Sequence, residues 1–145
     1  MAKPDTFLFD TSAFLALLEQ EPGHDRVLEL IETAIRGGVA LFACFVSLTE
    51  VQYIVTYKRG GQAAAETLAE LQALPVAWVH SDDALCANAA EIKALHRLSL
   101  ADAFVAAAAL RQDAVLVHRD AEFAPLAASV SQELLPPKTS VAASS

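Results

Sequence analysis

Thr6-Phe7-Leu8-Phe9-Asp10-Thr11-Ser12-Ala13-Phe14-Leu15-Ala16-Leu17-Leu18 is the stretch that decides the fold. Phe7 to Phe9 is an apolar run too short for a helix. It stops at a carboxylate, two hydroxyls and a second apolar run. A buried strand that ends at Asp10 and turns into a helix reads this way. Asp10 then stands at the strand's C-terminal end, with Ser12 close to the N-cap of the helix. In an open α/β sheet, ligands bind at that edge.

Outward from this start, Ser12 to Glu19 reads as a short helix. Pro22 opens a second one, carried by Val27, Leu28, Leu30, Ile31 and Ile35 and ended by Gly37-Gly38. Val39 to Val46 reads as a second strand. Ser47-Leu48-Thr49-Glu50 has the form of a capping box and opens a helix that ends at Lys58-Arg59-Gly60-Gly61. Gln62 to Leu74 is an Ala/Leu/Glu helix stopped by Pro75, and Val76 to His80 a third strand. Ser81-Asp82-Asp83 begins a helix to about Arg97, its first-turn acids complementing the helix dipole. Ser99-Leu100-Ala101-Asp102 opens another, and the almost wholly apolar Ala103 to Gln112 is expected at the centre of the fold. Ala114 to His118 is a fourth strand, and a short last strand is expected from Val130. Alternating helices and short apolar strands predict a three-layer α/β/α domain. Its central, mostly parallel sheet would have four or five short strands. One domain is expected over 1–135, with a flexible tail over 136–145.

The 145 residues carry a net charge of −8. The excess of acid disfavours loose, charge-driven binding to nucleic acid. It does not exclude a site where metal ions offset clustered carboxylates. Hydrophobic content of 54% and mean hydropathy of +0.38 predict an ordered core. No apolar run approaches the ~20 residues of a membrane span, and no signal peptide is evident, so a cytoplasmic location is expected. Cys44 and Cys86 read as two buried thiols in a reducing compartment.

Asp10 and Asp120 each follow an apolar strand run, and Glu50 and Asp102 each fall in the first turn of a helix. In a parallel sheet these positions share one edge. Clustered carboxylates raise one another's pKa, a cost that a hard divalent cation removes. Mg²⁺ and Mn²⁺ both accept such oxygen ligands. Each acid also has a plainer reading. Glu50 and Asp102 suit helix capping, Asp10 an N-terminal helix acid and Asp120 a turn acid.

Phe7-Leu8-Phe9-Asp10-Thr11-Ser12, Ser47-Leu48-Thr49-Glu50-Val51, Leu98-Ser99-Leu100-Ala101-Asp102-Ala103-Phe104 and Leu116-Val117-His118-Arg119-Asp120-Ala121-Glu122-Phe123 together resemble the acidic motifs of PIN domains. The similarity is closest to the VapC toxins of bacterial toxin–antitoxin pairs, and it spans Phe7 to about Leu135. The resemblance implies a metal-dependent endoribonuclease whose metal ligands are Asp10, Glu50, Asp102 and Asp120, with Ser12 as a hydroxyl beside the first acid. It implies Mg²⁺ or Mn²⁺ as cofactor, RNA as substrate, a VapB-like antitoxin as partner, and a homodimer. His118 departs from the Thr or Ser that relatives often carry. It either donates to an acid or a phosphate, or simply ends a strand. Glu122 is either a fifth, outer carboxylate or an exposed acid.

Lys58, Arg59, Lys93, Arg97 and Arg119 are candidates for a basic rim. Lys93 and Arg97 are expected on one helix face. Two other classes remain open. One is a partner-binding module whose activity is masked by a basic side chain in the acidic pocket. The other is a phosphatase or phosphotransfer receiver using a strand-end Asp, but Asp10-Thr11-Ser12 lacks a second Asp two positions on.

Overall fold

The computed structural model describes residues 5–138. The elements run β1 (Thr6–Phe9), α1 (Thr11–Leu18), α2 (His24–Ile35), β2 (Ala40–Cys44), α3 (Phe45–Arg59) and α4 (Gly61–Gln72). They continue with β3 (Ala77–Val79), α5 (Asp83–Leu95), α6 (Leu100–Gln112), β4 (Val115–His118), a 3₁₀ helix (Ala121–Leu126) and β5 (Gln132–Leu134). The strands form one five-stranded sheet in the order β3-β2-β1-β4-β5. All four pairings are parallel. From β1 the chain moves outward to β2 and β3, then crosses back to β4 on the other side. The direction reverses between β1 and β4, which is where α/β sheets open a crevice for ligands.

The period-two alternation of the strands separates two apolar layers. Phe7, Phe9 and Val117 point into the cluster built with Ala13, Phe14, Val27, Val51 and Leu71 of α1 to α4. Leu8 and Leu116 point the other way, against Leu85 and Ala89 of α5, Ala103 to Ala109 of α6, and Phe123. The expected three-layer arrangement is therefore present, and its sheet is parallel throughout. Small side chains let α6 lie close on the sheet, so its residues 102, 103 and 105–109 are all buried, as its apolar sequence predicts.

Helix ends follow local chemistry in most places. Gly37, at φ 80°, closes α2 and passes its N–H to Ala34 O at 2.9 Å. Gly23, at φ 99°, caps the start of the same helix in place of the expected Pro22. A Cβ there would stand 3.1 Å from the Leu135 Cβ, so both the conformation and the space call for glycine.

Several expectations are corrected. Helix α3 begins at Phe45, two residues before the predicted capping box, so Phe45 and Val46 are helical. Tertiary packing overrides their strand propensity: Phe45 meets Phe104 of α6 edge to face, ring centroids 5.3 Å apart. Glu50 consequently lies in the second turn. Helix α5 stops at Leu95, where His96 turns extended. Arg97 thus lies beyond the helix, and it does not share a helical face with Lys93. Cys44 is buried, but Cys86 is exposed. Of the expected tail, Lys138 reaches Glu21 at 3.2 Å, and residues 139–145 lie outside the described residues. Among the described residues, no helix is long and apolar enough to cross a membrane.

A buried ion pair ties the loop after α1 to the end of β4. Arg119 donates through Nη2 to Glu21 Oε1, and the two side chains are only 8% and 17% exposed. This removes Arg119 from the predicted basic rim. Arg119 Nη1 is buried without a partner, so the guanidinium depends on Glu21. Glu21→Gln is expected to destabilise the fold by about 3 kcal/mol, because it strands a buried charge. A urea titration checks this, and a loss near zero would mean that water solvates the guanidinium.

Candidate active site

The C-terminal edge of the sheet gathers the acids from four directions. Asp10 follows β1 and serves as the N-cap of α1. Its Oδ2 accepts from the Ser12 N–H at 3.0 Å and from the Ser12 hydroxyl. Asp10 is thus also the N-terminal helix acid of its plainer reading, but the cap uses only one oxygen. Oδ1 is buried with no partner, although Asp10 is just 3% exposed. A buried carboxylate oxygen left unsatisfied is costly unless something positive reaches it. Ser12 completes the link by accepting from the Arg119 N–H at 3.1 Å, which pins the end of β4 to the start of α1.

Glu50 is held differently from the prediction. The capping box does not form: Cys44 occupies the N-cap of α3, with no side-chain cap. Ser47, fully buried, points instead at α1, where its Oγ lies 2.8 Å from Thr11 Oγ1. Thr11 Oγ1 is 2.7 Å from Glu50 Oε1 and donates to it. One hydroxyl has one proton, so the Ser47 contact uses the proton of Ser47. The chain Ser47–Thr11–Glu50 fixes the Glu50 carboxylate at the edge. Sequence reading missed Thr11, whose only signal was a hydroxyl directly after the first acid.

Asp102 lies in the first turn of α6. Ser99 caps that helix as predicted, its Oγ accepting from the Asp102 N–H at 3.1 Å. The return half of the box is absent, because the Ser99 N–H is directed at Glu122 Oε2, at 3.5 Å. The Asp102 carboxylate is left free to face the cluster. Asp102, Asp120 and Glu122 offer oxygens that all lie within 4.8 Å of one another. Glu122, exposed as the plainer reading held, is thus also part of the acidic centre. Asp10 and Glu50 stand outside this tight group. Asp10 is close enough to feel the charges of Glu50 and Asp120.

The electrostatics follow from burial among like charges. Desolvation pushes the Asp102 carboxyl up, to about 9, helped by a hydrogen bond to Glu122 and by the charges of Asp10 and Asp120. Desolvation also raises Asp10, against the pull of the Ser12 hydroxyl and amide. Glu122 is lowered by the same hydrogen bond from Asp102. Without a cation, burial and the neighbouring carboxylates favour the protonated form of Asp102. A hard divalent cation would suit this donor set, since it would replace the proton and offset the repulsion among the carboxylates.

This has a measurable consequence. Asp102 keeps its proton in the folded chain up to about 9, whereas the unfolded chain releases it near ~4. The folded state holds more protons across that window, so this group's contribution to stability falls as pH rises. In chelator, wild type is expected to lose more melting temperature than Asp102→Asn between pH 5 and pH 8, and saturating Mn²⁺ should abolish the difference. Parallel melting profiles in chelator would contradict the shift.

His118 and the basic side chains are the remaining candidates. Both ring nitrogens of His118 contact protein groups, so it donates to neither an acid nor a phosphate. Lys58 and Arg59 both reach Glu19, at 3.9 and 3.4 Å. Lys93 is exposed, and its charge acts on Glu122, which puts it beside the acidic cluster.

The model of the PIN domain matches residues 7–128. The chain belongs to the PIN-domain family. No curated protein matches it. Among solved structures it is similar to VapBC2 of Rickettsia felis bound to a promoter DNA fragment, at 14% identity and TM-score 0.71, covering 90% of this chain and 99% of the other. It is similar to Mycobacterium tuberculosis VapC20, a sarcin-ricin loop cleaving toxin, at 21% identity and TM-score 0.69, again with 90% and 99% covered. FitAcB of Neisseria gonorrhoeae matches at 19% identity and TM-score 0.64, with 87% and 95% covered. At these identities the likeness is one of fold. In this PIN domain, the four motifs that carried the sequence resemblance all reach the sheet edge described above.

Proposed function

We propose that this PIN domain, acting as one unit over 1–135, is a metal-dependent endoribonuclease and the toxin of a toxin–antitoxin pair. Asp10, Glu50, Asp102 and Asp120 are its metal ligands, Mg²⁺ its cofactor with Mn²⁺ as a substitute, and Ser12 the hydroxyl that orients Asp10. The observation that carries this reading is the burial of Asp10 and Asp102 beside Asp120, with Asp10 Oδ1 unpartnered. Such an arrangement is unfavourable for the bare protein and favourable for one that binds a hard cation.

A divalent cation at this centre supplies Lewis acidity, offsetting charge on the scissile phosphate and acidifying water. The chain's own groups do the rest. Ser12 commits its proton to Asp10 and its lone pair to the Arg119 amide, so Asp10 cannot rotate away. Thr11 holds Glu50. Asp102 would release its proton to solvent when the site is loaded, and Glu122 adds a further carboxylate beside it. Lys93 supplies positive charge at the rim for the RNA backbone.

Neighbours with the same fold support the biological role. VapC20 is a sarcin-ricin loop cleaving toxin, and VapBC-5 of Mycobacterium tuberculosis is a member of the VapBC family of toxin–antitoxin systems. The partners of this reading are RNA, a VapB-like antitoxin and a second copy of the chain. Exposed Tyr53 and Tyr57, which share an apolar groove along α3, support the association with partners. The phosphotransfer reading loses ground because Ser12, two positions after Asp10, is spent on Asp10 and Arg119. The test is incubation of the antitoxin-free chain with total RNA. Discrete fragments are expected with Mg²⁺ or Mn²⁺ and none with chelator. Cleavage that persists in chelator, or no cleavage by the folded protein with either metal, would contradict the reading.

A further inference from the structure

His118 ends β4 two residues before Asp120 and is 3% exposed. Its Nδ1 accepts from the Asp120 N–H at 3.0 Å. That contact leaves the ring proton on Nε2, which donates to Gln132 Oε1 at 2.8 Å. The Gln132 amide, on β5, donates in turn to Phe123 O at 2.9 Å. The ring also packs edge-on against Phe123, centroids 4.8 Å apart. The imidazole is held on both nitrogens and on one face, and its free lone pair is spent on the backbone of an acidic residue at the sheet edge. The Asp120 carboxylate meanwhile accepts through Oδ1 from the Glu122 N–H at 2.9 Å, so the placement of Asp120 also sets the turn that carries Glu122.

We propose that His118 is a positioning residue for the metal centre. Its Nδ1 fixes the Asp120 backbone so that the Asp120 and Glu122 carboxylates face Asp102, and Gln132 fixes the tautomer that allows it. This rests on the metal-dependent reading of the cluster. The chemistry at this position asks for an acceptor that can reach the N–H two residues on, a contact that Ser and Thr hydroxyls make readily. The imidazole supplies that acceptor through a ring nitrogen while also filling the space beneath Phe123.

The test is Mn²⁺ affinity measured by calorimetry on the full chain, with folding checked by circular dichroism. His118→Thr and His118→Val remove the ring equally and differ in one acceptor oxygen. His118→Asn and His118→Leu repeat the contrast with longer side chains, so one pair decides if the other fails to fold. The variants that keep an acceptor are expected to bind Mn²⁺ within about 3-fold of wild type, and their apolar partners to bind about 10-fold more weakly. A role in packing alone would move both members of a pair alike, and equal affinities within the pairs would overturn the proposal. Asp120→Asn separates the two levels. If it loses affinity while the His118 pairs do not differ, the positioning role fails alone. If it binds like wild type, the metal reading itself fails.

Discussion

Asp102→Asn is expected to abolish RNA cleavage while raising the melting temperature of the metal-free protein at pH 8. The two effects have one cause. Asp102 is 6% exposed, and desolvation together with its neighbours Glu122, Asp10 and Asp120 opposes its ionisation. An amide of the same shape is neutral without a proton, so the apo fold no longer bears the cost of holding at pH 8 a proton that the unfolded chain has released. The amide cannot offer the anionic oxygen that the cation needs, and cleavage should fall by about 10²-fold or more. Added Mn²⁺ should stabilise wild type and leave the variant's melting temperature almost unmoved. A variant that loses activity together with stability would mean that Asp102 is a structural acid. One that keeps its activity would put the reacting centre elsewhere.

Phe9→Ala is expected to be the most damaging change to the fold. Phe9 is fully buried in the central strand, between β2 and β4, and meets Phe14 edge to face at 5.5 Å. Phe14 stacks on Trp78 at 5.6 Å, so the cavity would open at the centre of one apolar layer. A loss of about 3–5 kcal/mol follows from the lost transfer energy and the cavity. That is a large share of the ~5–15 kcal/mol that holds a domain together. A lowered urea midpoint with an unchanged slope checks it, and a loss below ~1 kcal/mol would mean that the layer repacks. The residue after Phe9 is Asp10, so this variant should lose cleavage through unfolding, whereas Asp102→Asn should lose it while folded.

The sequence was most legible where local signals and the global fold agree. The apolar run to Phe9, the acid at its end and the helix after it are written in neighbouring residues. So is the burial of α6, because Ala103 to Ala109 leaves no polar face. What escaped the reading depends on partners far along the chain. Ser47 and Glu50 have the spacing of a capping box, and only the approach of Thr11, from a helix 36 residues earlier, turns both toward the site. Arg119 looks like a free basic residue until Glu21, 98 residues away, is found against it. Arg97 follows a helical pattern, but the chain leaves the helix at His96 and buries Leu98. Glu122 reads from the sequence as an exposed acid or an outer carboxylate. Its exposure is correct, but the 3₁₀ turn that brings it beside Asp102 carries no periodic signature. Gln132 gave no signal, since a glutamine on a short edge strand has no pattern that marks it as a partner for His118.

The most direct test of the central claim is the chemistry of the RNA ends. Purified wild type and Asp102→Asn would each be given RNA with Mg²⁺, and the termini of the products identified. Hydrolysis by water at a carboxylate-held cation predicts 5′-phosphate and 3′-hydroxyl ends from wild type, and no products from the variant. Ends bearing 2′,3′-cyclic phosphate, or equal cleavage by the two proteins, would contradict it.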